Sequence, residues 1–181
     1  MGKILSKIDR DLELWIEQQK MFFVATAPLA AEGHINCSPK GADSFRIIDP
    51  HTVAYQDLTG SGIETIAHIK ENGRIVIMFC AFEGAPQIVR LHGIGSPIFA
   101  NSDEYTELSK HFLSHPGERA IIKIDVQRIA TSCGFSVPLY DYVDGRDVLD
   151  KWTKKKSSQE LITYRAKKNQ YSIDGLPGIE V

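Results

Sequence analysis

No run of about 18 apolar residues occurs in this chain, so no segment reads as a membrane-spanning helix. The opening stretch Met1-Gly2-Lys3-Ile4-Leu5-Ser6 lacks the apolar core of a secretion signal. Cysteine is scarce. Cys37, Cys80 and Cys133 lie far apart and never form a C-x-x-C pair, which argues against a zinc site or a disulfide framework and fits a reducing compartment. An excess of one charge is lacking too: 21 Lys+Arg against 23 Asp+Glu leave a net −2, too weak a field to gather a nucleic acid or an anionic bilayer. The expectation is a cytoplasmic protein with neither nucleic-acid nor membrane partners. There is no internal repeat, no low-complexity linker and no strand-linked G-x-G-x-x-G, so a nicotinamide would bind only transiently. No catalytic triad emerges, since Cys133 with His111 or His115 is only a scatter of reactive residue types.

What is present is enough for one globular domain spanning 1–181, with 43% hydrophobic residues and a helical extension from about 140 onward. Ile8, Leu12, Trp15 and Ile16 recur at helical spacing behind Ser6, predicting a helix over about 6–19. Short apolar or alternating runs predict strands at 21–27, 35–39, 45–48, 52–56, 74–82 and 88–93, and around Ile122, Ile124 and Val126. Helices are expected after Ser61 as far as Asn72-Gly73, at about 102–113, at about 147–155 and at 157–167, the last opened by the capping box Ser157-Ser158-Gln159-Glu160. Six to seven antiparallel strands with peripheral helices suggest a mainly β, closed or split barrel.

The order of motifs is the most telling feature. Gly33-His34-Ile35-Asn36-Cys37-Ser38-Pro39-Lys40-Gly41 is followed by Thr52-Val53-Ala54-Tyr55-Gln56-Asp57, by Leu58-Thr59-Gly60-Ser61-Gly62 at a helix start, and by the strand Arg74–Phe79. This order resembles the pyridoxamine 5'-phosphate oxidase-like FMN-binding split barrels, and Ser132–Pro138 with the tail Ser172–Gly178 resembles an uncharacterised branch of that superfamily. The resemblance implies FMN, a homodimer with cofactor sites across its interface, and flavin redox chemistry on a small organic substrate.

Each candidate residue has a functional and a plain reading. Thr59-Gly60-Ser61-Gly62 could cradle a phosphate with backbone N–H groups, the helix dipole and the Ser61 and Thr65 hydroxyls; Ser61 to Glu64 also reads as a self-satisfied capping box. By resemblance, Glu64 and Thr65 stand where the oxidases carry basic residues, so Lys40 and Arg46 become the cations that would meet the charge. Asn36, Ser38 and Lys40 would line the flavin ring on the second strand, although Lys40 equally suits an exposed strand end. Tyr55 and Gln56 occupy a cofactor-touching position of the oxidases, and Tyr55 equally suits the core. Gln87 resembles the oxidase glutamine that bonds the ring. Trp152 reads as a packed helix face or, by resemblance, as an aromatic near the flavin. The rival functions are a non-enzymatic carrier of flavin, deazaflavin or haem, and a cofactor-free dimeric interaction module.

Overall fold

The computed structural model describes residues 2–180. It contains β1 (Ile4–Leu5), α1 (Arg10–Gln18), β2 (Phe22–Thr26), β3 (Asn36–Lys40), β4 (Phe45–Asp49), β5 (Thr52–Leu58), α2 (Glu64–Asn72), β6 (Arg74–Cys80), β7 (Ile88–Ile98), α3 (Asp103–Leu108) with a 3-10 turn at Ser109–His111, β8 (Glu118–Ser132), α4 (Val148–Lys154) and α5 (Ser158–Lys168). All pairings are antiparallel, in the order β3-β2-β6-β7-β8-β5-β4, with β1 added to β8. That makes eight strands, one beyond the expected range. The extra one is the two-residue β1, too short to leave an alternating pattern. The sheet does not close: its two ends, β3 and β4, are consecutive in the chain, linked by Gly41–Ser44, and leave a seam between them.

The interior is built from one face of each strand. Phe22, Phe45, Tyr55 and Phe79 meet with ring centroids 5.1–5.7 Å apart, in tilted and edge-on pairs, and Ile77, Val89, Leu91, Ile122 and Ile124 complete the core. Such ring pairs add about 0.5–1.5 kcal/mol each beyond area burial. The other face of β5 and β8 carries a smaller cluster of Ala54, Ile98, Leu108 and Ile121 beneath α3. A cavity of about 360 Å³ opens at the seam between α1 and β4, floored by Phe22, Phe45 and Phe79.

Several boundaries differ from the sequence expectations. Helix α1 starts later, because Asp9, not Ser6, caps it by accepting from Leu12 N at 2.9 Å. Strand β7 runs through Gly93-Ile94-Gly95-Ser96-Pro97, where glycine and proline suggested a stop. Gly93 is required there, since a Cβ would lie 2.2 Å from the Asp125 carbonyl oxygen across a register shift. The helix expected over 102–113 shortens to α3 and the 3-10 turn. The capping box at Ser61 does not form: α2 is capped at Ile63 with no side-chain hydrogen bond, and Glu64 is its first residue. The C-terminal end of α2 and the N-terminal end of α5 match the expectation more closely, with Gly73 at φ 72° after α2 and a complete Ser157–Glu160 capping box before α5.

The C-terminal extension folds back on the barrel. Trp152 packs edge-on against Tyr164 at 5.1 Å, with Lys156 over its ring. Beyond α5 the tail turns at Gly175, buries Ile179 in the core, and is held by Lys70 Nζ donating to the Gly178 carbonyl at 2.7 Å. Asp174 binds both the His34 backbone N–H at 2.7 Å and the His34 ring at 2.6 Å.

Candidate functional site

Strand β3 alternates half-buried Asn36, Ser38 and Lys40 with exposed Cys37 and Pro39. The three polar side chains therefore share one face. Ser38 Oγ donates to Asn36 Oδ1 at 2.8 Å, and Asn36 Nδ2 donates to Thr65 Oγ1 at 2.9 Å and to Thr26 Oγ1 at 3.2 Å. Thr26 in turn meets His68 Nδ1 at 3.0 Å. The chain of contacts ties β2, β3 and α2 together through hydroxyls and amides. His68 is fully buried and its Nε2 has no partner among the described residues. Burial lowers its pKa against the upward pull of Glu64, Asp174 and Glu71, which favours the neutral ring.

Lys40 points to the next part of the site. Its Nζ lies 3.3 Å from Asp57 Oδ1 and over the Tyr55 ring at 5.9 Å, while Arg119 Nε donates to Asp57 Oδ2 at 2.6 Å. Asp57 is 1% exposed; burial alone would raise its carboxyl, but Arg119 and then Lys40 outweigh that and hold it below the usual range. The Tyr55 hydroxyl is buried and makes no well-formed hydrogen bond among the described residues, although Thr65 lies close enough to act on it. Burial first, and then the Asp57 charge, push its phenol well above the ordinary value, against a smaller pull from Arg119 and Thr65.

Beside this cluster runs the loop Thr59–Ile63. Thr59 is fixed to the Gly117 carbonyl through its N–H and its hydroxyl, both at 2.7 Å. Arg119 Nη1 donates to the Gly62 carbonyl at 2.9 Å and reaches the Gly60 carbonyl at 3.4 Å, and Asn169 Nδ2 donates to the Gly60 carbonyl at 3.0 Å. Arg165 Nε donates to Thr59 Oγ1 at 3.0 Å. Ser61 and Gly62 stay exposed. The Glu64 carboxylate bends back so closely that a Cβ on Gly62 would sit 2.4 Å from Oε2, and its Oε1 accepts from Ile173 N of the tail at 3.3 Å.

Of the nine residues singled out by sequence, Asn36, Ser38, Lys40, Tyr55 and Thr65 come together, and Ser61 and Gly62 lie on the adjoining loop. Gln56 points the other way, because β5 alternates: its Nε2 donates to the Leu113 carbonyl at 2.8 Å and to Glu118 at 2.5 Å on the α3 side. Gln87 lies just before β7, lining a groove with Trp15 and Phe135. Arg46 is engaged elsewhere, by Asp43 and the His111 carbonyl. Sequence reasoning missed Thr26, Asp57, His68, Arg165 and Asn169. Arg119 is half of a charged pair 62 residues apart, a separation that carries no local signal.

A family model of pyridoxamine 5'-phosphate oxidase matches residues 8–133, which include β3, the Asp57 cluster and the loop. The chain belongs to the pyridoxamine 5'-phosphate oxidase family. It is 41% identical over 186 residues to a protein of that family, ustO from Aspergillus flavus, covering 93% of this chain and 74% of that one. Among solved structures it is similar to Group A Streptococcus HupZ in an H111A form, with 26% identity, a TM-score of 0.54, and coverage of 69% of this chain and 99% of that one. A Lactobacillus delbrueckii protein assigned provisionally to the same oxidases gives a TM-score of 0.53 at 14% identity, covering 70% of this chain and 98% of that one, a likeness in fold alone. The extension beyond Cys133, which supplies Arg165 and Asn169, lies outside the family match.

The residues fit a flavin nucleotide in chemistry. Asn36, Ser38 and Thr65 offer neutral hydrogen-bonding groups suited to a ring edge, and the orphaned Tyr55 hydroxyl is a buried polar group in need of a partner. The loop offers N–H groups, and no side chain fills the space over Gly60. The opposing feature is charge, since Asp57 offsets one of the two positive charges of Lys40 and Arg119, and Glu64 leans over Gly62.

Proposed function

We propose that this chain binds FMN at the β3, Tyr55 and Thr65 cluster, with the cofactor phosphate at Gly60–Gly62, and acts as a flavin-dependent oxidoreductase on a small organic substrate. The observation that carries the reading is the coincidence, within a chain of this family, of a preformed neutral polar strand face, a buried unpartnered Tyr55 hydroxyl and an exposed glycine loop opening a helix. The bound flavin would supply two-electron transfer at its ring. The chain's own task is to bind and orient: Asn36 and Ser38 fix each other and present polar edges, and Thr65 ties α2 to β3. Lys40 keeps a positive charge beside the Tyr55 ring, and the low-lying Asp57 carboxyl keeps that charge balanced within the described structure. Tyr55, raised well above its ordinary value, and Asp57, held below its own, are not poised as a general acid or base near neutrality.

A second copy of the chain completes this reading. Phe135, Leu139, Tyr140, Tyr142, Val143 and Val148 are all more than half exposed along one extended segment, an apolar load that a homodimer interface would cover. A carrier without catalysis is the second reading, favoured by the partial neutralisation of Lys40 and Arg119 by Asp57 and by the Glu64 carboxylate beside Gly62, which leave less positive charge to hold a dianion tightly.

The test is direct. FMN titrated into purified protein should quench flavin fluorescence and raise the melting temperature, since a ligand bound only by the native state adds about 2.7 kcal/mol at a hundredfold excess over Kd. Bleaching of bound flavin by NADPH or substrate supports the enzyme, and a flavin that binds but never turns over supports the carrier. Absence of uptake at millimolar FMN refutes both.

A further inference from the structure

Three successive peptide groups of the loop are held from one side. Arg119, anchored on buried Asp57, binds the Gly62 carbonyl and reaches that of Gly60. Asn169, at the C-terminal end of α5 and fully buried, binds the Gly60 carbonyl and reaches that of Ser61 at 3.5 Å. In a trans peptide the carbonyl and the following N–H point in opposite directions. With the carbonyls of Gly60, Ser61 and Gly62 turned toward Arg119 and Asn169, the N–H groups of Ser61, Gly62 and Ile63 must turn away from them. None of these three N–H groups has a hydrogen-bond partner among the described residues. They adjoin the first turn of α2, whose own N–H groups lack intrahelical acceptors.

We infer that Asn169 and Arg119 are positioning residues that set this row of N–H groups for the phosphate of the cofactor, so that the C-terminal extension confers preference for a phosphorylated flavin over its unphosphorylated form. The inference rests on the reading that an anionic cofactor group occupies the loop. Asn169 itself supports it. Its Nδ2 is spent on the loop while its Oδ1 is buried without a partner among the described residues, an arrangement that costs stability. The extension also grips the same loop through Arg165 on Thr59 and covers Ile63 with Gly178. Glu64, tethered to Ile173, brings a carboxylate beside the row and opposes an anion there, which sharpens the dependence on well-aimed N–H groups.

The experiment compares FMN and riboflavin by fluorescence quenching in the wild-type chain, Asn169→Ala and Arg119→Lys, the last keeping its charge while losing the planar fork. Losing one oriented donor to an anion should weaken FMN about tenfold to a hundredfold, with riboflavin affinity held within about twofold. Equal losses for both flavins would show a merely structural role and overturn the inference, as would a wild-type chain that binds both flavins equally. If Asn169→Ala does not fold by circular dichroism, Asn169→Ser and Arg119→Lys carry the comparison. Inorganic phosphate provides a separate arm, followed by amide chemical shifts of Ser61, Gly62 and Ile63. If no flavin binds but phosphate shifts these amides in the wild type and not in the variants, the FMN reading fails and the positioning role stands. If phosphate leaves them unmoved as well, both fail.

Discussion

Replacing Asp57 by asparagine removes one negative charge from the centre of the site and leaves the fold around it intact in shape. Two cations then lose their shared partner. Arg119 suffers most, because its side chain is 6% exposed and cannot turn to water, whereas Lys40 at 23% can relax outward. Breaking a buried ion pair by removing one partner costs about 3–5 kcal/mol, and for a domain of this size each kcal/mol lowers Tm by about 2–4 °C. The expected drop is therefore about 6–20 °C, read by thermal and urea melts followed by circular dichroism. The pH dependence supplies an independent check. The folded Asp57 carboxyl lies below its unfolded value, so its contribution is complete above about pH 4 and fades as pH falls through the folded value. The acid limb of the wild-type stability curve should accordingly be steeper than that of Asp57→Asn. Adding Arg119→Met to Asp57→Asn should recover part of the loss, since it removes the stranded cation. A single variant that melts within about 1 kcal/mol of wild type, with an unchanged acid limb, would refute the assignment of Asp57 as a buried anchor.

Further outcomes follow from other features. Tyr55→Phe removes a buried hydroxyl that has no partner, so apo stability should hold or rise slightly while FMN binding weakens; a large loss of apo stability would show that the hydroxyl is already satisfied. Gly73→Ala forces a side chain to φ 72° with its Cβ 2.8 Å from Ile94 Cγ2, and should cost about 1–2 kcal/mol; an unchanged urea midpoint would contradict that geometry. Ser157→Ala removes the α5 cap and should cost about 1 kcal/mol, with faster amide exchange at Glu160 and Leu161, and exchange rates that do not move would argue against the cap.

Local chemistry was legible in the sequence. The alternation of Asn36, Ser38 and Lys40, the Asn72-Gly73 stop and the Ser157 box each depend on neighbours within a few residues, and each appears in the fold. What stayed hidden was set at long range. Asp57 looked like the end of a strand until Arg119 arrived from β8, and Asn169 acts across 109 residues on Gly60. The alternation rule that grouped the β3 residues also separates Tyr55 from Gln56, yet sequence reasoning kept both as candidates because the family position names the pair. At Ser61 the local pattern misled, since the helix starts at Glu64 and that carboxylate is shared between the space beside Gly62 and the Ile173 N–H of the tail, a partner 109 residues away.

The open seam has a consequence for how copies of this chain can meet. An unpaired border strand invites a neighbour to extend the sheet through main-chain pairing. On β3 that invitation is blunted: Pro39 offers no amide hydrogen, and the adjacent Lys40 charge is committed inward to Asp57. Runaway stacking along that border is thereby discouraged, and association is diverted to side-chain surfaces.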